Sequence, residues 1–163
     1  MALYEITRAG SADIDGITAL LQANTLSRGG SLTGEFPRDK VAEMVAGGVV
    51  MAAHRAGQVV GVLFSAGKDH PGPPVVRAML AAWPGRDDAY TYGPVCIADS
   101  ERGQGLLAEL YAALQRHYPG REAILFIRRD NAASLRAHGR LGMHEVAGFV
   151  LDGVDYAVFS DRR

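Results

Sequence analysis

The stretch VCIADSERGQGLL, residues 95–107, decides how this chain is read. Val95, Cys96, Ile97 and Ala98 form the end of an apolar strand. Asp99, Ser100 and Glu101 break it, and Arg102-Gly103-Gln104-Gly105 leads into a helix. That helix carries Leu106, Leu107, Leu110, Tyr111 and Leu114 as a stripe at helical spacing. A strand, a glycine turn and a helix leave free backbone N–H groups at a helix start. The helix dipole adds partial positive charge there, so the turn suits a phosphate or pyrophosphate. Gly103 and Gly105 let the backbone approach such a ligand because no Cβ intervenes. No third glycine completes GxGxxG, and no Gly-Lys-Ser/Thr follows, so neither a dinucleotide fingerprint nor a P-loop is present. On its own the motif also reads as an ordinary tight turn.

Outward from this stretch, residues 90–98 form the strand that feeds the turn, and REAILFIR (121–128) reads as a continuous buried strand. Residues 131–141 read as a helix ended by Gly142, and 144–150 and 155–160 as two closing strands around Asp152-Gly153. Towards the N-terminus, 3–8 alternates as a short strand. Ser11 is placed to N-cap a helix carrying Ile14, Ile17, Leu20 and Leu21, with Asp13 in its first turn. Residues 26–36 are polar and Gly-rich and read as a loop. Pro37 suits the first turn of a second helix, stopped at Gly47-Gly48. Residues 49–54 and 59–65 are strands joined by the turn Arg55-Ala56-Gly57-Gln58. KDHPGPP (68–74) breaks the chain, and Val75, Val76, Met79, Leu80 and Trp83 then mark a short amphipathic helix. Hairpins fill the first half. Strand–helix–strand crossovers fill the second and imply locally parallel pairing.

The 163 residues favour one domain, spanning 1–163. With 48% hydrophobic and 21% charged residues the composition is that of a globular protein. A formal net charge of -1, with scattered Lys and Arg, shows no basic excess of the kind that marks a nucleic-acid binder. The single cysteine, Cys96, excludes an internal disulfide and a cysteine-based zinc site, and a reducing cytoplasm is the natural compartment. No segment approaches the ~18 apolar residues of a membrane span, and the N-terminus lacks the pattern of a signal peptide.

Arg102-Gly103-Gln104-Gly105 resembles the Arg/Gln-x-x-Gly-x-Gly/Ala signature of the GNAT superfamily of N-acetyltransferases, with Leu107 at the last position where Gly or Ala is usual. Asn131-Ala132-Ala133-Ser134-Leu135-Arg136-Ala137-His138 through Gly142-Met143 resembles the same family's Asn-x-x-Ala/Ser-x-x-x-Tyr/His-x-x-x-Gly-Phe block. The order of elements also matches, with an extra helix at 75–83. The resemblance implies an α/β fold with a mixed, mostly antiparallel sheet, helices on both faces, and two central parallel strands that splay apart. It implies acetyl-CoA as cosubstrate, no metal, and direct transfer of acetyl to a primary amine. Arg102, Gly103, Gln104, Gly105, Leu106 and Leu107 would hold the pyrophosphate. The backbone of Val95 and Ile97 would pair with the pantetheine arm, and Asn131 takes the family's asparagine position at the helix start. Asn131 is equally placed as a simple N-cap.

His138 takes the position where family members place Tyr or His near the cofactor sulfur. Amine attack on a thioester gives a tetrahedral oxyanion that expels a thiolate, and a general acid eases that expulsion. Imidazole titrates near working pH and suits the role. A backbone N–H nearby would hold the oxyanion. A base for the incoming ammonium is not singled out: Tyr90, Tyr92, Glu35, Asp99 and His70 all qualify, as does a water chain. Cys96 reads better as a small core thiol than as a nucleophile. Arg128 and Arg129 either meet cofactor phosphates or are solvated. The acceptor is expected to be a small-molecule amine or amino acid. Glu35, Tyr90, Tyr92 and Trp83 would contact it, with Phe36 adding to an apolar wall. Neither a nucleic acid nor a membrane is an expected partner, and a homodimer is compatible with such a domain. A non-catalytic acyl-CoA-binding or interaction module on the same scaffold is the alternative.

Overall fold

The computed structural model describes residues 3–25, 32, 34–70 and 72–162. In chain order they form β1 (Glu5–Arg8), α1 (Ile14–Gln22), α2 (Arg38–Gly47), β2 (Met51–Arg55), β3 (Gln58–Gly67), α3 (Pro74–Ala82) and β4 (Tyr90–Ile97). Then come α4 (Leu106–Gln115), β5 (Ala123–Arg128), α5 (Ala132–Arg140), β6 (His144–Leu151) and β7 (Val154–Ser160). Short 3-10 turns, Ser11–Asp13 and Asp99–Glu101, precede α1 and α4. The strands lie in the order β1-β2-β3-β4-β5-β7-β6; β1–β2, β2–β3, β5–β7 and β6–β7 pair antiparallel, and β4–β5 pairs in parallel. Two compact units divide the chain, Met1–Ala66 with Gly93–Pro119 and Gly67–Tyr92 with Gly120–Arg163.

In the first unit the period-2 alternation of strands sorts side chains to two faces. Ala52, Val62 and Phe64 join the helix residues Ile14, Ile17, Leu20, Leu21 and Val41 in one core, with Phe36 and Cys96. Gly61 lies on the other face, where a Cβ would come within 3.0 Å of Leu106 and 3.3 Å of Leu110. Helix α4 therefore sits directly on β3, and that close approach is what the glycine permits. Each fully buried Leu or Ile contributes roughly 1.5–3 kcal/mol, so this packing outweighs the helix propensities of segments as short as α1. The Arg55–Gln58 turn is as expected: Ala56 and Gly57 both take positive φ, 52° and 79°, the geometry of a two-residue hairpin.

Ser11 is not the cap expected of it. The Gly10 N–H donates instead to Asp13 Oδ2 at 2.9 Å, because a carboxylate three residues on can reach back to that orphan donor. The first strand begins at Glu5 rather than residue 3, and Pro37 stands just before α2 rather than inside it. Of the loop 26–36, residues 26–31 and 33 lie outside the described residues.

In the second unit β4 pairs with β5 only at Tyr90↔Ala123 and Thr91↔Ile124, after which the parallel ladder stops. Strand β5 then runs antiparallel to β7 from Ile124↔Ser160 to Arg128↔Tyr156. The crossover expectation holds for β4–α4–β5 and fails for β5–α5–β6, because β7 inserts between β5 and β6. Tyr156 to Ser160 are all buried, as a central strand requires, whereas β6 alternates at the edge. Met79 of α3 packs with Ala89, Ile124 and Val158, flanked by Leu80, Trp83 and Phe149.

Buried Glu122 ties this unit together. Its carboxylate accepts from Trp83 Nε1 at 2.9 Å, from the Arg86 N–H at 2.8 Å and from Ser160 Oγ. Burial alone would raise this acid, but the hydrogen bonds from Ser160, Trp83 and Arg86 outweigh it and hold it below its ordinary value.

Candidate functional site

The glycine turn is built from the sheet outward. The Ala98 N–H donates to Val60 O at 2.9 Å and closes the ladder. The 3-10 turn then carries Glu101, whose carboxylate is buried although its neighbours are exposed. Arg55 Nη1 donates to Glu101 Oε1 at 2.8 Å, Tyr4 Oη donates to the same oxygen at 2.9 Å, and Ser100 Oγ donates to Oε2 at 2.9 Å. The hydrogen bonds from Arg55, Ser100 and Tyr4 hold Glu101 below the usual carboxylate range. It is a fixed post at the entrance of the turn, anchored to Tyr4 just before β1 and to Arg55 of the β2–β3 hairpin. Its spacing in the sequence carries no sign of this.

After Glu101, Gly103 and Gly105 take φ of 76° and 77°, and a Cβ at either would meet nothing within 4 Å. The glycines are thus required by the left-handed backbone and not by packing. Gly105 is the N-cap of α4 and offers no side-chain cap, so the first N–H groups of the helix have no intrahelical acceptor. Residues 102–105 are exposed, Leu106 turns into the core and Leu107 is half-buried. This is an open, donor-lined helix start that fits an anion. Arg102 stands beside it, paired with Asp99 at 2.8 Å and reaching Asn24 Oδ1 at 3.4 Å. On the preceding strand, Val95 and Ile97 are half-buried while Cys96 faces the core, its Sγ 3.9 Å from Leu20 O. Burial pushes the Cys96 thiol up to about 12.

In the second unit Asn131 caps α5, its Oδ1 accepting from the Ser134 N–H at 3.2 Å. His138 is 2% exposed and both its ring nitrogens are engaged. Nδ1 lies 2.9 Å from the Ser134 carbonyl, one helical turn back, and 3.2 Å from the Ser134 hydroxyl. A carbonyl only accepts, so Nδ1 carries the proton. Nε2 lies 3.0 Å from Tyr92 Oη, with the rings edge to face at 5.4 Å. In the neutral ring Nε2 is then the acceptor and the Tyr92 hydroxyl the donor. Burial lowers the imidazole below its ordinary 6.5, against the opposing Ser134 hydrogen bond, and raises the Tyr92 phenol.

Several expected contact residues are otherwise employed. Phe36 is part of the first unit's core, and Tyr90 is fully buried. Trp83 is fastened to Glu122, so none of these three forms an open wall. Glu35 and His70 are exposed, and Asp99 is spent on Arg102. Arg128 pairs with Asp130 at 2.9 Å, and Arg129 with both Glu145 and Asp155. Ser134 and Glu101 are the contributors that sequence reasoning missed. Ser134 was within reach, since it stands four residues before His138 on one helix face. Among the described residues no group of three His, Cys, Asp or Glu side chains could hold a metal, and no helix is long and apolar enough to cross a membrane.

No family model and no curated protein matches the sequence. Solved structures do match. A GNAT-family acetyltransferase from Streptococcus agalactiae superposes with a TM-score of 0.76 at 17% identity, covering 96% of this chain and 94% of that one. A proposed acetyltransferase from Salmonella typhimurium, solved with acetyl-CoA, gives 0.69 at 21% identity, with 98% and 93% covered. The ribosomal-protein-S18-alanine N-acetyltransferase of Escherichia coli gives 0.68 at 15% identity, with 96% and 92% covered. With its open glycine turn entering α4 and its parallel β4–β5 pair, this chain has the fold of the GNAT acetyltransferases.

Proposed function

We propose that residues 1–163 are one acetyl-CoA-dependent N-acetyltransferase domain, acting on the primary amine of a small molecule or amino acid. The observation that carries the reading is the turn at 102–107. It combines two left-handed glycines, exposed N–H donors, a helix start and a flanking arginine. The pyrophosphate is taken there by Arg102, Gly103, Gln104, Gly105, Leu106 and Leu107. Half-burial of Leu107 supports the view that its side chain leaves the turn open. The backbone of Val95 and Ile97 pairs with the pantetheine arm, and Asn131 holds the start of α5. His138 is the side chain from which the proton for the departing thiolate is drawn.

Transfer is direct. With its thiol at about 12, Cys96 holds about one thiolate in 10⁵ at pH 7, too little for a nucleophile. Glu35, exposed beside the loop, remains available to an acceptor amine. The expected setting is the cytoplasm, and a homodimer is compatible with such a domain.

Thiol release from acetyl-CoA tests the proposal. The panel should hold small amines, amino acids and a short peptide, since the Escherichia coli neighbour is named for a protein acceptor. Release that depends on at least one amine is the expected result. Acetyl-CoA binding with no release across the panel would favour the non-catalytic acyl-CoA module instead.

A further inference from the structure

We propose that Tyr92 is the group that exchanges protons with the reacting atoms, and that His138 acts behind it as a proton store. This rests on the acetyl-transfer reading above and names the proton route within it. The geometry carries it. His138 Nδ1–H is committed to the Ser134 carbonyl at 2.9 Å, which leaves Nε2 as a lone pair aimed at Tyr92 Oη, 3.0 Å away. The imidazole is 2% exposed and the tyrosine 4%. A resting imidazole held this way cannot donate from Nε2. It can only receive, and what it receives is the Tyr92 proton. Ser134 fixes the tautomer through α5 itself, so the direction of the Tyr92–His138 bond is set by the helix.

The route balances. The acceptor amine enters neutral, having lost one proton to solvent. Its nitrogen forms the N–C bond to the thioester carbon, and an N–H proton passes to Tyr92 Oη as the Tyr92 proton passes to His138 Nε2. When the C–S bond breaks, the electron pair goes to sulfur. Tyr92 then gives its proton to the thiolate, and His138 returns one to Tyr92. The products are an amide and a thiol, and both residues end as they began. Burial opposes charge on either residue alone, since it raises the phenol and lowers the imidazole. A concerted passage avoids a lone tyrosinate, and the imidazolium formed at His138, balanced by the oxyanion of the tetrahedral intermediate, lasts only until the C–S bond breaks. Among the described residues the titratable group hydrogen-bonded to His138 is Tyr92 on β4, and Ser134 is its partner on α5. Among the described residues no carboxylate hydrogen-bonds to the ring.

This route and a direct imidazolium donor predict opposite pH behaviour. The relay needs neutral His138, so kcat falls as pH drops through the folded imidazole value, which lies below 6.5. A charged donor would make kcat rise over the same range. The experiment compares wild type, Tyr92→Phe and His138→Ala on one amine, so that the amine's own titration cancels. The readouts are thiol release, acetyl-CoA affinity and the ¹⁵N tautomer of His138. The relay predicts the Nδ1–H tautomer and about a 100-fold or larger loss of kcat in Tyr92→Phe, with acetyl-CoA affinity unchanged. It also predicts loss of the acidic limb in that variant, and partial rescue of His138→Ala by added imidazole.

An Nε2–H tautomer, a kcat that rises as pH falls, or a Tyr92→Phe variant with wild-type kcat would each overturn the relay while leaving acetyl transfer standing. Failure of the wild-type protein to release thiol with any amine would overturn the transfer reading, and the relay with it. The tautomer readout needs no turnover, which keeps the two failures apart.

Discussion

Two carboxylates show how much of this protein is decided at single residues. Glu101 and Glu122 are both buried, and each is satisfied by three donors: for Glu101 the distant Tyr4 and Arg55 with its neighbour Ser100, for Glu122 the distant Trp83, Arg86 and Ser160. Glu122 gives a measurable case. Its folded value is held below the ordinary 4.5, so its stabilisation is present above that value and is lost as pH falls through the folded one. Glu122→Gln should cost about 1–3 kcal/mol at pH 7, because an amide brings a donor where only acceptors fit and strands one of the three partners. Glutamine does not titrate, so urea denaturation should show the gap between variant and wild type narrowing as pH falls from 7 to 3. A gap that stays constant would mean the carboxylate's charge contributes nothing. Neither glutamate is recognisable in sequence, since nothing local distinguishes Glu122 or Glu101 from the exposed Glu109.

Elements that rest on local signals were legible, and those that rest on distant pairing were not. The Ala56-Gly57 and Asp152-Gly153 hairpins take the positive φ their residue types permit, and α5 starts directly after its capping residue Asn131. The place of β7 between β5 and β6 is a property of three strands at once, and chain order pointed elsewhere. One signal was available: Ala157-Val158-Phe159 is a continuous apolar run of the kind a central strand needs, whereas HEVAGFVL is mixed like an edge.

The end of α2 gives a prediction at this scale. Gly48 has an extended backbone that any residue could adopt, but a Cβ there would collide with the Ser65 carbonyl of β3. Ser65 is itself fixed, its Oγ donating to Val49 O at 2.6 Å and accepting from Tyr118 Oη at 2.9 Å. Gly48→Ala should therefore destabilise the protein by about 1–3 kcal/mol, read as a lowered denaturation midpoint. An unchanged midpoint would show that α2 and β3 are not packed this closely.

For the molecule as a whole, the match to solved GNAT structures runs over nearly the full chain at identities of 15–21% in the three comparisons. A resemblance carried by two short motifs was enough to anticipate that fold, because a glycine turn and a capped helix are read from neighbours in sequence. The tautomer of His138 and the employment of Trp83, Phe36 and Tyr90 in packing depend on tertiary contacts, and no spacing encodes them. Acetyl-CoA binding turns on the pyrophosphate site proposed at 102–107.

The most direct measurement is a thermal melt with acetyl-CoA, with NAD as control. A ligand at about a hundred times its dissociation constant adds roughly 2.7 kcal/mol, which for a domain of this size is a rise of about 5–10 °C. The account predicts that rise with acetyl-CoA, none with NAD, and its loss when Gly103→Val closes the turn. No shift at millimolar acetyl-CoA in the wild-type protein would contradict it.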